Sequence, residues 1–327
     1  MTTRSRIYQL LDNEELQAII KDALGSRALI SRVEPLGGGM YNTTYYVETL
    51  HPISKLVLRV APIRQELLFD FEKKMMGVEP RIYQLMMDHQ IPSPRVINHN
   101  ASFTIISREY IITEFIEGSV TLNHPAIPEA AKASLWFEVG GLTSRLHAIT
   151  GDRFGWLTRD GDINGSKSWA DALLGYVAEI TRRTSNHGVF DDHEMKRFDE
   201  LFASHRSLFE INAKPALVHN DLWGPNILVK EISGQWTVAA IIDADRAMFA
   251  DPESEFLLWN LESNAVKGYG KEMDTSPEGN LRRHFYKLKH NFFDAYVHKV
   301  QYDNEAEYLN NKKWALDRLR LIQEYQG

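Results

Sequence analysis

Leu217-Val218-His219-Asn220-Asp221-Leu222-Trp223-Gly224-Pro225-Asn226-Ile227-Leu228-Val229 runs from apolar to polar and back to apolar. An apolar pair leads into His219-Asn220-Asp221. A loop holding Gly224 and Pro225 follows, and Asn226 opens the second apolar run. Glycine and proline fix the backbone path of such a loop, and the run after Asn226 reads as a strand. Asp221 and Asn226 therefore share one short, stiff loop and can aim into the same cleft. A plain polar turn between two strands uses the same residue types, so the continuation matters. Residues 226–229 form a strand, Ser233-Gly234-Gln235 a turn, and residues 236–242 a second strand ending on Asp243-Ala244-Asp245. Antiparallel pairing brings Asn226 and Asp243 side by side. Two hard oxygen ligands at one end of a hairpin suit magnesium, which takes one or two carboxylates plus phosphate oxygens and water.

The chain has 327 residues, enough for one large or two medium domains. Its formal charge of -7 argues against a nucleic-acid partner. It has no cysteine, which excludes disulfides, thiolate catalysis and cysteine zinc sites. Residues 1–16 lack the apolar core of a signal peptide, and no run reaches membrane-spanning length. The expectation is a cytoplasmic protein with no membrane partner.

Upstream of the central block, residues 12–24 read as an amphipathic helix capped by Asp12 with Glu15 three residues on. Residues 33–47 read as strand, turn, strand, with Gly37-Gly38-Gly39-Met40-Tyr41-Asn42 at the turn. Glycines let backbone N–H groups approach a phosphate closely, although a plain hairpin turn has the same look. No Gly-Lys-Ser or Gly-Lys-Thr follows, so this is not a Walker loop. Leu56-Val57-Leu58-Arg59-Val60 is a strand with a cation embedded in apolar residues. An unpaired buried guanidinium is expensive, so Arg59 needs a carboxylate or a phosphate. Residues 71–87 read as mainly helical, with Pro80 in the first turn of a helix. Glu79 is the candidate partner of Arg59 and Glu72 the rival. Residues 104–106 and 110–115 suggest a hairpin. Glu114-Phe115-Ile116-Glu117-Gly118 then marks a boundary between a β-rich unit, residues 1–116, and a helical unit, residues 117–327. Helices are expected over residues 131–149, 169–182, 193–209, 253–261, 281–300 and 306–325.

His219, Asp221 and Asn226 have the spacing of the protein-kinase catalytic loop: histidine, any residue, aspartate, four residues, asparagine. With the glycine turn, Arg59 and Asp243, the chain resembles the aminoglycoside phosphotransferase and choline kinase-like family over residues 33–261. The resemblance implies an α+β, two-lobed protein-kinase-like fold with ATP (or GTP) between the lobes. It implies Asp221 as the catalytic aspartate and Asn226 and Asp243 as magnesium ligands. Gly37, Gly38, Gly39 and Asn42 would cover the triphosphate, and Arg59, held by Glu79, would contact it. Val57, Leu228 and Ile242 would sandwich adenine, and Glu114, Phe115 and Ile116 would form the hinge. Two departures stand out: Arg59 replaces the lysine of protein kinases, and Asp243-Ala244-Asp245 replaces Asp-Phe-Gly.

The acceptor is less legible. Between residues 243 and 262 the acids outnumber the one arginine by five. An acidic wall there, with Asp245, Asp251, Glu255 and Trp259 facing the substrate, favours a cationic acceptor. The alternatives are that Glu253 and Glu255 form a solvated helix N-terminus, where acids are favoured anyway, and that Asp245 braces the loop. Residues 247–251 and 256–259 resemble hygromycin-type phosphotransferases, which points to an aminoglycoside or related antibiotic. Choline, homoserine, sugar and fructosamine acceptors, a catalytically inactive nucleotide-binding module, and a metal-dependent hydrolase are the alternatives.

Overall fold

The computed structural model describes residues 5–37, 39–261 and 263–325. Its elements in chain order are α1 (Asn13–Leu24), β1 (Ile30–Pro35), β2 (Thr43–Leu50), β3 (Ile53–Val60), α2 (Met75–Asp88), β4 (Val96–Asn100), β5 (Tyr110–Glu114) and β6 (Val120–Thr121). There follow α3 (Glu129–Leu146), β7 (Phe154–Leu157), β8 (Ile163–Ser166), α4 (Trp169–Ser185), α5 (Asp192–Ser204) and β9 (Ala216–Val218). The chain ends with β10 (Ile227–Ile232), β11 (Gln235–Ile241), β12 (Met248–Ala250), α6 (Asn264–Tyr269), α7 (Pro277–Tyr296) and α8 (Glu305–Glu324).

The fold has two lobes. In the first, an antiparallel sheet of order β1-β2-β3-β5-β4 carries alternating buried residues on β2 and β3. Tyr45, Val47, Leu56 and Leu58 pack with Ile19 and Ile20 of α1, whose start is fixed by the Asp12–Glu15 capping box. The second lobe is helical, with a core of stacked rings. Phe292 on α7 lies between Phe198, at 3.9 Å, and Phe190, at 4.0 Å between ring centres. Two small sheets, β11-β10-β6 and β8-β7-β12-β9, sit at the functional end. Among the described residues no helix is long and apolar enough to cross a membrane.

Several elements differ from expectation. Residues 104–106 form no strand; β5 pairs instead with β4, whose five residues are all half-buried and carry no alternation to read. Pro80 lies inside α2 rather than in its first turn, because the helix begins at Met75 after a 3₁₀ turn over Glu72–Lys74. The helix expected over residues 253–261 is two 3₁₀ turns, Pro252–Ser254 and Phe256–Trp259, interrupted by an extended Glu255. Helix α7 passes into a π turn, Val297–Gln301, a form often found at functional sites.

Candidate active site

Strands β9 and β10 frame the loop that carries Asp221. Asn220 adopts a left-handed backbone, φ 63°, which turns the chain sharply before Asp221. The Asn226 side-chain amide donates to the Asp221 carbonyl at 2.9 Å and to its carboxylate at 3.2 Å. No hydrogen bond to the Asn226 side-chain oxygen is found among the described residues, so it remains available to a cation. Hairpin β10–β11 then does what antiparallel pairing requires. Ile227 faces Ile241, and the Ile242 N–H donates to the Asn226 carbonyl at 2.9 Å. Asp243 follows at once, left-handed with φ 60°, its N–H donating to the Tyr83 hydroxyl at 3.0 Å. A non-glycine residue held in that region is strained, and such strain concentrates at functional sites.

Arg59 sits opposite. Its guanidinium bonds Glu79 and Asp243, and lies 2.9 Å from Asp245. Glu79 is fully buried and is the partner that Arg59 requires. Glu72 lies elsewhere, accepting from the Phe69 N–H at 2.9 Å and the Gln301 amide at 2.7 Å. Burial works against the charge of Arg59, but Asp243, Glu79 and Asp245 outweigh it and hold the pKa well above the ordinary value. The Asp221 carboxyl is pushed up to about 6, first by burial, against the pull of Arg246, and with Asp243 adding to the rise.

The remaining expected residues are placed as follows. An added Cβ at Gly37 would meet nothing within 4 Å, and at Gly39 only the Asn42 carbonyl at 3.8 Å. The fold therefore has no steric need for glycine at either place. Gly38 lies outside the described residues. Asn42 is buried, and its amide donates to Asp245 at 3.1 Å, so it braces the Asp243–Asp245 segment rather than lying open to phosphate. Val57, Leu228 and Ile242 are each half-buried. In the expected hinge segment the Phe115 N–H donates to the Lys55 carbonyl at 3.1 Å, and Glu114 accepts from the Arg95 N–H at 3.0 Å. The Ile116 carbonyl accepts from Ser119 at 2.7 Å.

The acids of the expected wall are tied to partners within the protein. Asp245 is committed to Arg59 and Asn42. Asp251 is buried, accepting from the Tyr286 hydroxyl at 2.5 Å and lying 3.1 Å from Arg282. Glu253 pairs with Arg283 and accepts the Asp274 N–H at 2.6 Å. Glu255 is fully buried, and it accepts the backbone N–H groups of His219 at 2.6 Å and Asn220 at 3.1 Å. These acids turn inward because buried N–H groups and arginines need them. Asp251 borders one cavity of about 600 Å³, beside Glu253 and Arg282, and Trp259 lines a second of about 610 Å³ between the 256–259 turn, α7 and α8. His290 lines it too, and its charge acts on Asp221.

Sequence reasoning missed Tyr83, gave Arg246 no role at the site, and read His147 as a packed core residue, which its burial agrees with. Tyr83 lies one helical turn after Glu79 on the same face, a spacing that was there to be read. Arg246 places its guanidinium 5.1 Å over the Phe293 ring and exerts the largest attraction on Asp221. His147, just past α3, stands 3.6 Å from Glu255 and 2.9 Å from the Tyr269 hydroxyl.

Residues 32–265 match the family model described as the phosphotransferase enzyme family. A Staphylococcus aureus protein named a probable ketoamine kinase is 24% identical over 273 residues, covering 79% of this chain and 85% of its own. Among solved structures, a thermostable mutant of aminoglycoside phosphotransferase APH(4)-Ia in complex with ADP and hygromycin B superposes with a TM-score of 0.67. It is 18% identical, over 94% of this chain and 98% of that one. A Thermobifida fusca protein provisionally assigned as a fructosamine-3-kinase gives a TM-score of 0.66 at 15% identity, over 95% and 99% of the two chains. A model spanning most of the chain, on a two-lobed frame shared with these kinases, shows that this chain belongs to the phosphotransferase enzyme family and is a small-molecule kinase.

Proposed function

We propose that the protein transfers the γ-phosphoryl group of ATP, with magnesium, to a hydroxyl of a small amine-bearing molecule. The observation that carries this is the convergence of Asp221, Asn226 and Asp243 on one loop and one hairpin end, facing Arg59. The donor set fits magnesium: one carboxylate and one carboxamide oxygen, with no three-acid or histidine cluster among the described residues. Asn226 and Asp243 would hold the ion, which when bound neutralises charge on the phosphates. GTP in place of ATP is a question for the nucleotide assay.

Each protein group has a role in this reading. Arg59 exchanges part of its contact with Asp243 for phosphate, while Glu79 keeps its position. Gly37 and Gly39 leave room over the phosphates. Val57, Leu228 and Ile242 enclose the base, with the Ile116 N–H open to it at the hinge. The boundary between the lobes falls at residues 116–117. Asp221, ionised at neutral pH with a pKa near 6, orients the hydroxyl and accepts its proton.

The acceptor occupies the cavity that Trp259 and His290 line. Two acceptor classes have specific support. The fold neighbour that binds hygromycin B favours an aminoglycoside, and antibiotic resistance would then be the role. The relative named a ketoamine kinase favours a sugar-derived amine. A coupled assay of nucleotide consumption across aminoglycosides, ketoamines, choline and sugars tests the reading. Chelator-sensitive, acceptor-dependent turnover is expected, and acceptor-independent or chelator-resistant phosphate release would overturn it.

A further inference from the structure

The cavity between α7 and α8 has two ends of opposite charge. Asp294 and Glu307 stand near the connection between the helices. Asp294 lies 2.9 Å from His290. Lys287 and Arg318 stand at the other end, where Asp317 also lines the cavity but is paired with Arg320. Lys287 is two helical turns from Asp294 on α7, about 10 Å along the axis, and Arg318 is three turns from Glu307 on α8, about 16 Å. The Lys287 ammonium donates to the Trp259 carbonyl at 3.3 Å, and the Arg318 guanidinium to His284 Nδ1 at 2.7 Å. Neither forms an ion pair with a carboxylate among the described residues.

That is an unusual arrangement for two half-buried cations. Burial, then Arg318 and Arg283, lowers the pKa of Lys287. His284 is pushed down to about 4, first by burial and then by Arg318 and Lys287, so it is a neutral acceptor and not a counter-charge. Like charges facing one another in a partly desolvated site call for an anion. Two further groups lack partners at this cavity: Trp259 Nε1 and His298 Nδ1 are buried with no hydrogen bond. The rings of Phe256, Trp259 and Trp314 supply flat apolar faces between the charged ends.

We propose that Lys287 and Arg318 bind a carboxylate of the acceptor while Asp294 and Glu307 hold its amine, so that the acceptor is a hydroxyl-bearing zwitterion. This rests on reading the cavity as the acceptor site of the kinase. The Asp294 end is the one nearer the chemistry: the Arg246 guanidinium lies 5.1 Å over the ring of Phe293, the residue before Asp294, and the same charge acts on Asp221. The phosphorylated hydroxyl and the amine therefore lie close together, and the carboxylate lies about 10 Å away.

The test uses two probes that differ only in a carboxylate: the fructose ketoamine of lysine and that of cadaverine. With wild type, KM and calorimetric Kd for the lysine compound should be about ten- to hundredfold lower than for the cadaverine compound. Lys287→Met and Arg318→Met keep the apolar stems and should erase that preference. Arg318→Glu should invert it. Circular dichroism checks that each variant is folded, and calorimetry needs no turnover. Carboxylate-dependent binding without phosphoryl transfer upholds this inference and sinks the kinase reading of the site. Transfer to both compounds with equal KM overturns this inference and leaves the kinase standing. Loss of both compounds alike in the methionine variants, or no saturable binding of either, also overturns it.

Discussion

Glu255 Oε2 accepts the backbone N–H of His219 at 2.6 Å, from a residue that is fully buried. The same carboxylate takes the Asn220 N–H at 3.1 Å, so it holds the two residues that lead into Asp221. Burial disfavours its charge, but His147, His219 and the backbone N–H bonds hold its pKa below the usual value. It is a positioning residue for the loop. Glu255→Ala orphans two buried N–H groups, each costing about 1–3 kcal/mol. Thermal melts should show that loss, and kcat should fall further than KM rises. Glu255→Gln keeps one acceptor and should recover much of both. Equal effects of alanine and glutamine would show that the N–H bonds are not what matters.

Asp221 gives a prediction about pH. Its pKa rises from 3.8 unfolded to about 6 folded. Below pH 3.8 both states are protonated and the shift has no effect on stability. Between the two values the folded state binds the extra proton, so stability falls as pH rises to about 6 and then stays low. Asp221→Asn removes that penalty. It should melt higher than wild type at pH 7.5, with the advantage vanishing near pH 4. Its turnover should drop by orders of magnitude. Wild-type kcat/KM should rise with pH through about 6 as the base ionises. A variant that melts lower at pH 7.5 would argue against the burial-driven shift.

Metal removal separates binding of the ion from binding of the base. Asn226→Ala and Asp243→Ala each take away one of two proposed oxygen ligands. Each should raise the magnesium concentration for half-maximal turnover by about tenfold or more, or abolish activity. Asp243→Ala should also perturb Arg59, which bonds the same carboxylate. Turnover of wild type should stop with chelator and return with added magnesium. Chelator-resistant turnover would exclude this pair as the metal site.

How much of this was legible in the sequence depended on range. Asp221, Asn226 and Asp243 sit within one loop and one hairpin, where local pairing rules alone bring residues together. Glu79 and Glu72 could not be separated, because they are seven residues apart and would share one face of a continuous helix. The 3₁₀ turn over Glu72–Lys74 breaks that face and sends Glu72 to Gln301. The acids at Asp251 and Glu255 were harder to place for a different reason. A carboxylate facing a cleft and one facing a backbone N–H look the same in sequence, and only the tertiary path of the 252–259 turns decides between them. The cavity between α7 and α8 was hidden as well, since its two charged ends come from helices that pack only in the fold.

The last prediction concerns the embedded arginine. Arg59 joins three carboxylates, those of Glu79, Asp243 and Asp245, with only 11% of its side chain exposed. Removing Glu79 leaves Asp243 and Asp245 to balance the guanidinium. The stability loss should therefore fall below the about 3–5 kcal/mol typical of breaking an isolated buried pair. Removing Arg59 instead leaves three acids crowded together, of which Asp245 already has a pKa raised well above normal, chiefly by burial and then by Asp243. Arg59→Ala should thus destabilise more than Glu79→Ala, and most at high pH, where protonation cannot relieve the repulsion. In turnover the two should be similar, because an arginine without Glu79 is no longer held in place. The double variant should be little slower than either single, since neighbours acting as one unit are not additive. Urea unfolding at pH 6 and 8 and kcat/KM for the four proteins complete the cycle. Fully additive losses in turnover would show that Glu79 and Arg59 act apart.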